Sequence, residues 1–549
     1  MATDDWRLTI GSARGIRREN GANQPPQKSL RSKDLQVPGR TRTRLTLRPP
    51  RDRLPNGEKS QPGEFQQTPS ALGRFLVVSS EMSTEARTFV QKLAAADFQK
   101  IARWSADRVL SARNRLRWHA ARLRMQVRDA LALPGKFPPG SLAASGLRSA
   151  YLDDKYYLKQ FHRHGRIFKM FWASGDLKVC IVGFEYARGL LQKHRSCLHP
   201  VAIDLTPLVP DEYLRSMRSE IHPHYRSAFA AALRKDLITG MELELRQLIR
   251  DELDRLSQAP RENSALAKAL HHTLHRMATN LLVRFIFGVQ PDSPIFPELR
   301  DGYERLGPGG YVGAIGPAQR AAYPKIRATL VKIIESLRSG DTAVVGDSVL
   351  KRMALGAELG VDETVIGNAI YMVERGRHDM RDLLHWFTKH LSDHPLVVAD
   401  LRSELTMHGT NLRLAEACVL ETLRLEQAEV LVRKALVPFT LEGYHIPKGS
   451  WVCTLMRESH RDPSIFPEPD QYRPQRFLER VYSSNEYAPF GLDEHNCIGR
   501  VLVTKMGVMF VEELVAGYDW TIAADGPRVF GHFHWQPSRS FAIDLQKKP

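Results

Sequence analysis

Cys497 has the most chemically suggestive surroundings of any residue in this chain. It stands in the run Tyr487-Ala-Pro-Phe-Gly-Leu-Asp-Glu-His-Asn-Cys-Ile-Gly-Arg500, directly ahead of an apolar stretch, Val501 to Leu514, that reads as a helix. A thiol just before a helix N-terminus meets the positive end of the dipole and unpaired N–H groups, which favour the thiolate, the form that binds metals and attacks electrophiles. Gly491 and Gly499 let the backbone pass close to something flat, Phe490 can lie beside the sulfur, and His495 and Arg500 are placed to meet anions. The alternative is an inert cysteine buried in a turn.

Other chemistry-bearing residues occur upstream in a definite order. Glu421 and Arg424 are three apart in the apolar run Cys418-Val-Leu-Glu-Thr-Leu-Arg-Leu425, so they share a helix face and can pair. Charges in so apolar a stretch need further partners. Arg476, in the Pro-rich segment Phe466-Pro-Glu-Pro-Asp-Gln-Tyr-Arg-Pro-Gln-Arg-Phe477, is one candidate. His222 and Arg226 open another helix, with Pro223 in the first turn where proline is tolerated, and Arg433 enters a strand after the Glu421 helix.

The elements that position these groups read as mostly helical. Helices are expected over Tyr151–His164, Glu220–Leu237, Met241–Leu256, Ala265–Phe287, Pro324–Arg338 and Asp362–Leu391. Strands are expected at Arg166–Trp172 and Lys178–Phe184, joined by a Ser174-Gly-Asp turn, and again over Val437–Ser450 and Trp451–Met456. The reading is a mainly α domain with a small β region.

In this order the motifs resemble the cytochrome P450 family across roughly residues 145–545. The resemblance implies that Cys497 is the proximal thiolate ligand of a heme b iron, with Phe490 beside it. His495, Arg433, His222 and Arg226 would hold the propionates, and Glu421, Arg424 and Arg476 would form the family's structural triad. Two positions depart from the usual pattern: Asp493 stands where a second glycine is common, and Gln475 where glutamate is.

The distal helix departs further. Anchored on Trp386 and His394-Pro395, the place where the family carries an acid and a threonine reads Arg375-Gly376-Arg377-His378-Asp379. Gly376 matches the glycine that loosens the helix over the heme, while His378 and Asp379 fall at the acid and the threonine. These two could take over proton delivery, or oxygen activation could be altered. Arg375 and Arg377 could also face the pocket and receive an acidic, fatty-acid-like substrate.

The implied activity is a monooxygenase inserting one oxygen atom from O2 into an apolar organic substrate. Electrons would come from a separate donor such as a ferredoxin, flavodoxin or reductase. One alternative is a peroxide-dependent or non-oxygenating heme-thiolate enzyme (a peroxygenase, isomerase or dehydratase). Another is a non-catalytic heme or ligand carrier.

Composition bounds the rest. The chain has 549 residues and a formal charge of +18, but residues 1–130 hold 26 Lys/Arg against 12 Asp/Glu, so most of the basicity lies there. Residues 1–82 read as a basic, disordered extension. Residues 83–140 read as a basic helical segment closed by the Pro134-Gly-Lys-Phe-Pro-Pro-Gly140 linker, and 141–549 as the catalytic domain. The basic helix suits contact with an anionic membrane surface, whereas a nucleic-acid partner is disfavoured. Five cysteines with no C-x-x-C pair argue for a reducing compartment and against a zinc site. Without an apolar run of spanning length or a signal peptide, the expected location is cytoplasmic, with peripheral membrane contact.

Overall fold

The computed structural model describes residues 135–549, apart from 142–149, 151, 172–175, 201–207, 209–212, 218–219, 308–315, 341–344, 357–359, 427–429 and 532–533, together with isolated positions between 116 and 127. All the described residues belong to the unit Leu93–Pro549. The expected disordered extension lies outside the described residues, as does most of the basic helix.

In chain order the elements are α1 (Tyr156–His164), β1 (Ile167–Phe171), β2 (Leu177–Ile181), α2 (Phe184–Lys193), β3 (Leu198–His199), α3 (His222–Ala232), α4 (Lys235–Gly240), α5 (Glu242–Ser257) and α6 (Asn263–Phe287). They continue as α7 (Phe296–Leu306), α8 (Pro317–Arg338), α9 (Val349–Leu355), α10 (Glu363–Asp393), α11 (Pro395–His408), α12 (Arg413–Glu426), β4 (Val430–Ala435), β5 (Phe439–Leu441), β6 (Tyr444–Ile446) and β7 (Trp451–Leu455). The last are α13 (Met456–Ser459), α14 (Arg476–Glu479), α15 (Arg500–Gly517), β8 (Tyr518–Ala524), β9 (Val529–Gly531), β10 (His534–Gln536) and β11 (Ala542–Lys547).

One sheet of order β1-β2-β7-β4-β3 gathers the strands on either side of the helical region, with β2 parallel to β7 (Val179 opposite Val452) and the hairpin β1–β2 antiparallel. The expected Pro/Gly linker is built into this fold: Lys136 bridges Tyr444, and Lys169 N donates to Pro139 O. Gly140 has φ +123°, and a Cβ there would meet Lys169 O at 2.3 Å, so only glycine fits.

The helix expected from Tyr151 begins at Tyr156, Phe184 opens α2 instead of ending a strand, and two further boundaries differ for identifiable reasons. The segment expected as one helix, Glu220–Leu237, breaks where Arg234 turns extended, which redirects Leu237 and Ile238 into the core. Pro324 lies inside α8 rather than at its start; Pro317 opens the helix, and buried Ala322 and Tyr323 hold the turn on which Pro324 stands.

α10 is the central element, 31 residues long, capped where Asp362 Oδ1 accepts from Val365 N at 2.7 Å and ended ahead of Pro395. α6 packs along it. The helix runs unbroken through Gly376, contrary to the expected loosening. A Cβ at Gly376 would meet Leu282 Cδ1 at 2.9 Å, so the glycine is a notch that admits α6.

Behind α10, a charged cluster is closed off from solvent. Arg377 donates to Glu374 Oε2 at 2.9 Å and to the carbonyls of Tyr303 (2.7 Å) and Gly307 (3.1 Å), and its Nη1 lies 2.8 Å from His275 Nε2. Burial pushes the Glu374 carboxyl up to about 7, against the pull of Arg377. A folded-state value raised above the unfolded one means that stability present below about pH 4.5 is lost as pH rises through 7. Glu374→Gln therefore gains on the wild-type chain by about 3 kcal/mol between about pH 5 and about pH 8, measured as the difference in urea-unfolding free energy at the two pH values.

The Glu421 carboxylate ties the C-terminal half together. Its Oε2 accepts from Arg424 Nε (2.7 Å), and its Oε1 from Arg424 Nη2 (2.8 Å), Arg476 Nε (3.1 Å) and the backbone N of Arg473 (2.9 Å). Both guanidiniums then spend their remaining donors on meander carbonyls: Arg424 on His460, Pro469 and Gln471, and Arg476 on Pro467 and Glu468. The structure thus brings Glu421, Arg424 and Arg476 into one hydrogen-bonded group. Removing one member leaves buried charge uncompensated, so Glu421→Ala or Arg424→Ala costs about 3–5 kcal/mol, seen as loss of soluble, cooperatively unfolding protein.

Candidate active site

Cys497 ends a tight loop that the backbone holds in shape. Its N–H donates to Phe490 O at 2.7 Å, and Asn496 N donates to Asp493 O at 3.0 Å. Gly491, at φ +109°, has Asn496 Cα 3.1 Å from where a Cβ would stand, so the loop doubles back against itself there. α15 begins three residues after the sulfur, with Gly499 at its N-cap. The thiol is exposed, whereas Cys180, Cys418 and Cys453 are buried, and burial pushes those three thiols up to about 11 or above.

Cys497 lines a cavity between this loop and α10. The wall is mostly apolar: Leu214, Leu282, Met372, Met380, Leu383 and Leu431 are among its members, with Phe490 on the loop side. On the opposite side, α10 presents Arg375, Gly376 and Asp379. The cavity thus has a sulfur in the wall formed by the cysteine loop, Arg375, Gly376 and Asp379 in the wall formed by α10, and largely apolar side chains between them.

Four cationic or donor groups gather at one end. The rings of His222 and His495 lie 4.1 Å apart between centroids with their planes tilted by 38°, and the Nε2 atom of each is buried with no hydrogen-bond partner. Such an orphaned pair needs an acceptor to satisfy it. Burial, and then neighbouring cationic groups, lower both imidazoles to about 4. Arg226 donates to Asn496 O at 2.9 Å and to the same residue's side-chain carbonyl. Arg433 donates to Val432 O at 2.8 Å and pairs with Asp493. The residues therefore fit a planar macrocycle with two carboxylates: thiol below, apolar edge, and His222, His495, Arg226 and Arg433 at the acidic end.

The distal residues divide. Asp379 and Gly376 do line the cavity. His378 does not: it points to the other side of α10, its Nε2 3.3 Å from Glu374 Oε1 and its ring 5.6 Å from that of His275. Helical geometry fits this: Met372, Arg375, Asp379 and Leu383 share one face of α10, Arg377 falls roughly opposite, and His378 lies to the side, on the flank that carries Glu374. Arg377 is fully buried among Glu374, Tyr303 and His275, so of the two arginines expected in the pocket only Arg375 is there. Arg375 Nε lies 3.0 Å from Asp379 Oδ2.

Several cavity residues carried no signal in the sequence. Asp382, one turn beyond Asp379, accepts from His534 Nε2 at 2.6 Å and Gln536 Nε2 at 2.8 Å, tying α10 to β10. Glu426 and Arg215 also line the wall. Spacing from Asp379 could have found Asp382; His534 comes from 152 residues away and could not be placed.

Asp493 competes for Arg433 with any carboxylate brought into the cavity. Asp493→Asn removes that competition and a like charge, so the heme-loaded variant releases its heme to apomyoglobin several-fold more slowly than the wild type.

The comparisons with known proteins agree with this geometry. The family model described as Cytochrome P450 matches residues 384–534, the stretch holding Glu421, Arg424, Arg433, Arg476 and Cys497. Abscisic acid 8'-hydroxylase 3 of Oryza sativa subsp. indica is 24% identical, over 72% of this chain and 83% of the relative. Abscisic acid 8'-hydroxylase 1 of Oryza sativa subsp. japonica is also 24% identical, over 74% and 90%. Among solved structures, a cyanobacterial CYP120A1 with retinoic acid bound shares the fold with TM-score 0.61 at 18% identity, covering 75% of this chain and all of that one. Cytochrome P450 OleT in complex with arachidonic acid shares it with TM-score 0.59 at 14% identity, covering 75% and 99%. The chain carries a cytochrome P450 match over residues 384–534, and the comparisons together support a heme-dependent monooxygenase with a mainly α, cytochrome P450-like fold.

Proposed function

We propose that Cys497 supplies the axial thiolate of the heme iron and that His222, Arg226, Arg433 and His495 hold its propionates. The proposed reaction inserts one oxygen atom of O2 into a carbon of an apolar organic acid. The bound heme supplies dioxygen reduction and oxygen transfer, with two electrons coming from a separate donor protein. The observation that carries the substrate class is Arg375, a guanidinium in an otherwise largely apolar wall, facing the cavity from the turn of α10 that also presents Asp379.

The chain's own residues then have distinct tasks. The leucines and methionines of the wall exclude water and receive the hydrocarbon. Arg375 receives the carboxylate, exchanging part of its pairing with Asp379 for the incoming anion. Phe490 contributes to the cavity wall on the side of the cysteine loop. Support comes from the named ligands of similar proteins, since abscisic acid, retinoic acid and arachidonic acid are all apolar carboxylic acids. The excess of basic residues over 1–130 supports a cytoplasmic protein in peripheral contact with an anionic membrane.

A second reading is favoured by one feature. The wall facing the sulfur offers Arg375 and Asp379 with no hydroxyl at the position of the family's threonine, which suits use of hydrogen peroxide in place of O2 and electrons. Product formed with peroxide alone, at a rate matching the electron-fed reaction, would select it.

The test of the first reading uses two kinds of spectrum. The reduced, carbon-monoxide-treated protein shows the red-shifted Soret band of thiolate ligation, and Cys497→Ala loses it. Arachidonic acid shifts the ferric spectrum at a concentration about tenfold below its methyl ester, in keeping with a charge-assisted hydrogen bond of about 1.5–3 kcal/mol. Arg375→Leu abolishes that preference and Asp379→Asn enlarges it. Equal affinity for acid and ester in the wild-type protein would remove the carboxylate from the proposal.

A further inference from the structure

A second cavity, of about 510 Å³, lies on the far side of Glu426, and the Glu426 side chain lines both it and the heme cavity. The two spaces differ in chemistry. The second is ringed by Asp154, Lys155, Arg457, Arg461, Asp470 and Arg528, and its charges are mutually engaged. Arg461 pairs with Asp470 at 3.1 Å, Lys155 with Asp470 at 3.0 Å and Arg457 with Asp154 at 3.6 Å. That leaves no surplus cation for an anionic ligand and no apolar floor for a hydrocarbon. The space is of a size and polarity to hold on the order of ten waters. Arg457 Nε faces burial without any protein partner, as a group bonded to water would.

The two cavities share Glu426 in their walls, a polar point of contact. Glu426 is the last residue of α12, where a carboxylate opposes the helix dipole, and it is nearly fully buried. Its Oε1 lies 3.4 Å from His390 Nε2 and its Oε2 3.3 Å from Arg528 Nη1. Both distances exceed those of tight charge-assisted bonds, about 2.7–2.9 Å, so the carboxylate keeps lone pairs for water. Arg528 also reaches Asp154 (3.5 Å) and lies 5.1 Å over the ring of Trp386, a wall residue of the heme cavity. On the heme side, the Asp382–His534 pair provides the next polar groups in the same wall.

The reaction needs such a route. Splitting O2 between product and one water consumes two electrons and two protons, and the protons must cross an apolar wall to reach the bound oxygen. His378, at the family's acid position, faces away from the cavity, and Asp379 is held by Arg375. We propose that the charged cavity is the path by which water and protons enter the heme cavity, with Glu426 as its inner mouth and Arg528 as the residue that closes it. This rests on the monooxygenase reading.

Two variants test it by moving in opposite directions. The readout is the rate at which cyanide, a small polar ligand, binds the ferric holoenzyme. Arg528→Ala opens the partition and speeds binding several-fold, while Glu426→Leu makes it apolar and slows binding several-fold. During turnover with O2, the solvent deuterium isotope effect on consumption of reducing equivalents rises in Glu426→Leu and falls back toward wild type in Glu426→Gln. Unchanged rates in both variants, or a shift of both in the same direction, would overturn the proposal and mark the pair as a structural clasp. So would a Glu426→Leu chain that fails to bind heme beside a Glu426→Gln chain with wild-type rates. The carbon-monoxide spectrum separates the two levels: a wild-type protein without thiolate ligation sinks the monooxygenase reading, whereas normal spectra with unmoved cyanide rates sink only the conduit.

Discussion

Everything near the cysteine depends on one buried carboxylate. Glu421 accepts four hydrogen bonds, and the two guanidiniums that share it reach five carbonyls of the segment running up to the ligand loop. A meander rich in proline has few backbone bonds of its own to fix its course. Here it is fixed from outside, by planar cations whose forks match carbonyl positions. Tyr487 adds a further tie, its hydroxyl donating to Leu420 O at 2.8 Å. The course of the segment that leads to Cys497 is thus set by charge buried on α12, well before it in the chain.

The second constraint is α10, which works on two faces. Its inward face meets the cavity with Arg375, Gly376 and Asp379; its outward face carries Glu374, Arg377 and His378 into a network with α6 and α7. The outward network is electrostatic where most helix contacts in this core are apolar. It holds the helix straight across the point where a glycine would otherwise weaken it. Rigidity there and chemistry on the opposite face are served by neighbouring residues of a single short stretch.

Much of this was legible in the sequence, and the reason differs from residue to residue. Glu421, Arg424 and Arg476 could be assigned because a charge in an apolar run demands a partner. His222, Arg226, Arg433 and His495 could be assigned because their order along the chain matched a family pattern, and they do converge at one end of the cavity. The hairpin β1–β2 was visible in two short apolar runs joined by a Ser-Gly-Asp turn. Rotation about α10 was not visible: assigning His378 to the pocket amounted to reading a register from spacing alone, where one residue changes the direction of a side chain by about 100°. Gly376 was read as a weak point, although its meaning lies in Leu282, far back along the chain on α6. Glu426, Arg528 and His534 were not legible at all, since their significance comes only from tertiary proximity.

The pairing of Arg433 with Asp493 bears on how the holoprotein is assembled. A guanidinium committed to a dianionic cofactor would, in the cofactor-free polypeptide, sit largely buried with its charge unmatched. An internal carboxylate beside it supplies a placeholder counter-ion, so the polypeptide can reach its folded shape first and take up the prosthetic group afterwards by exchanging one acid for another.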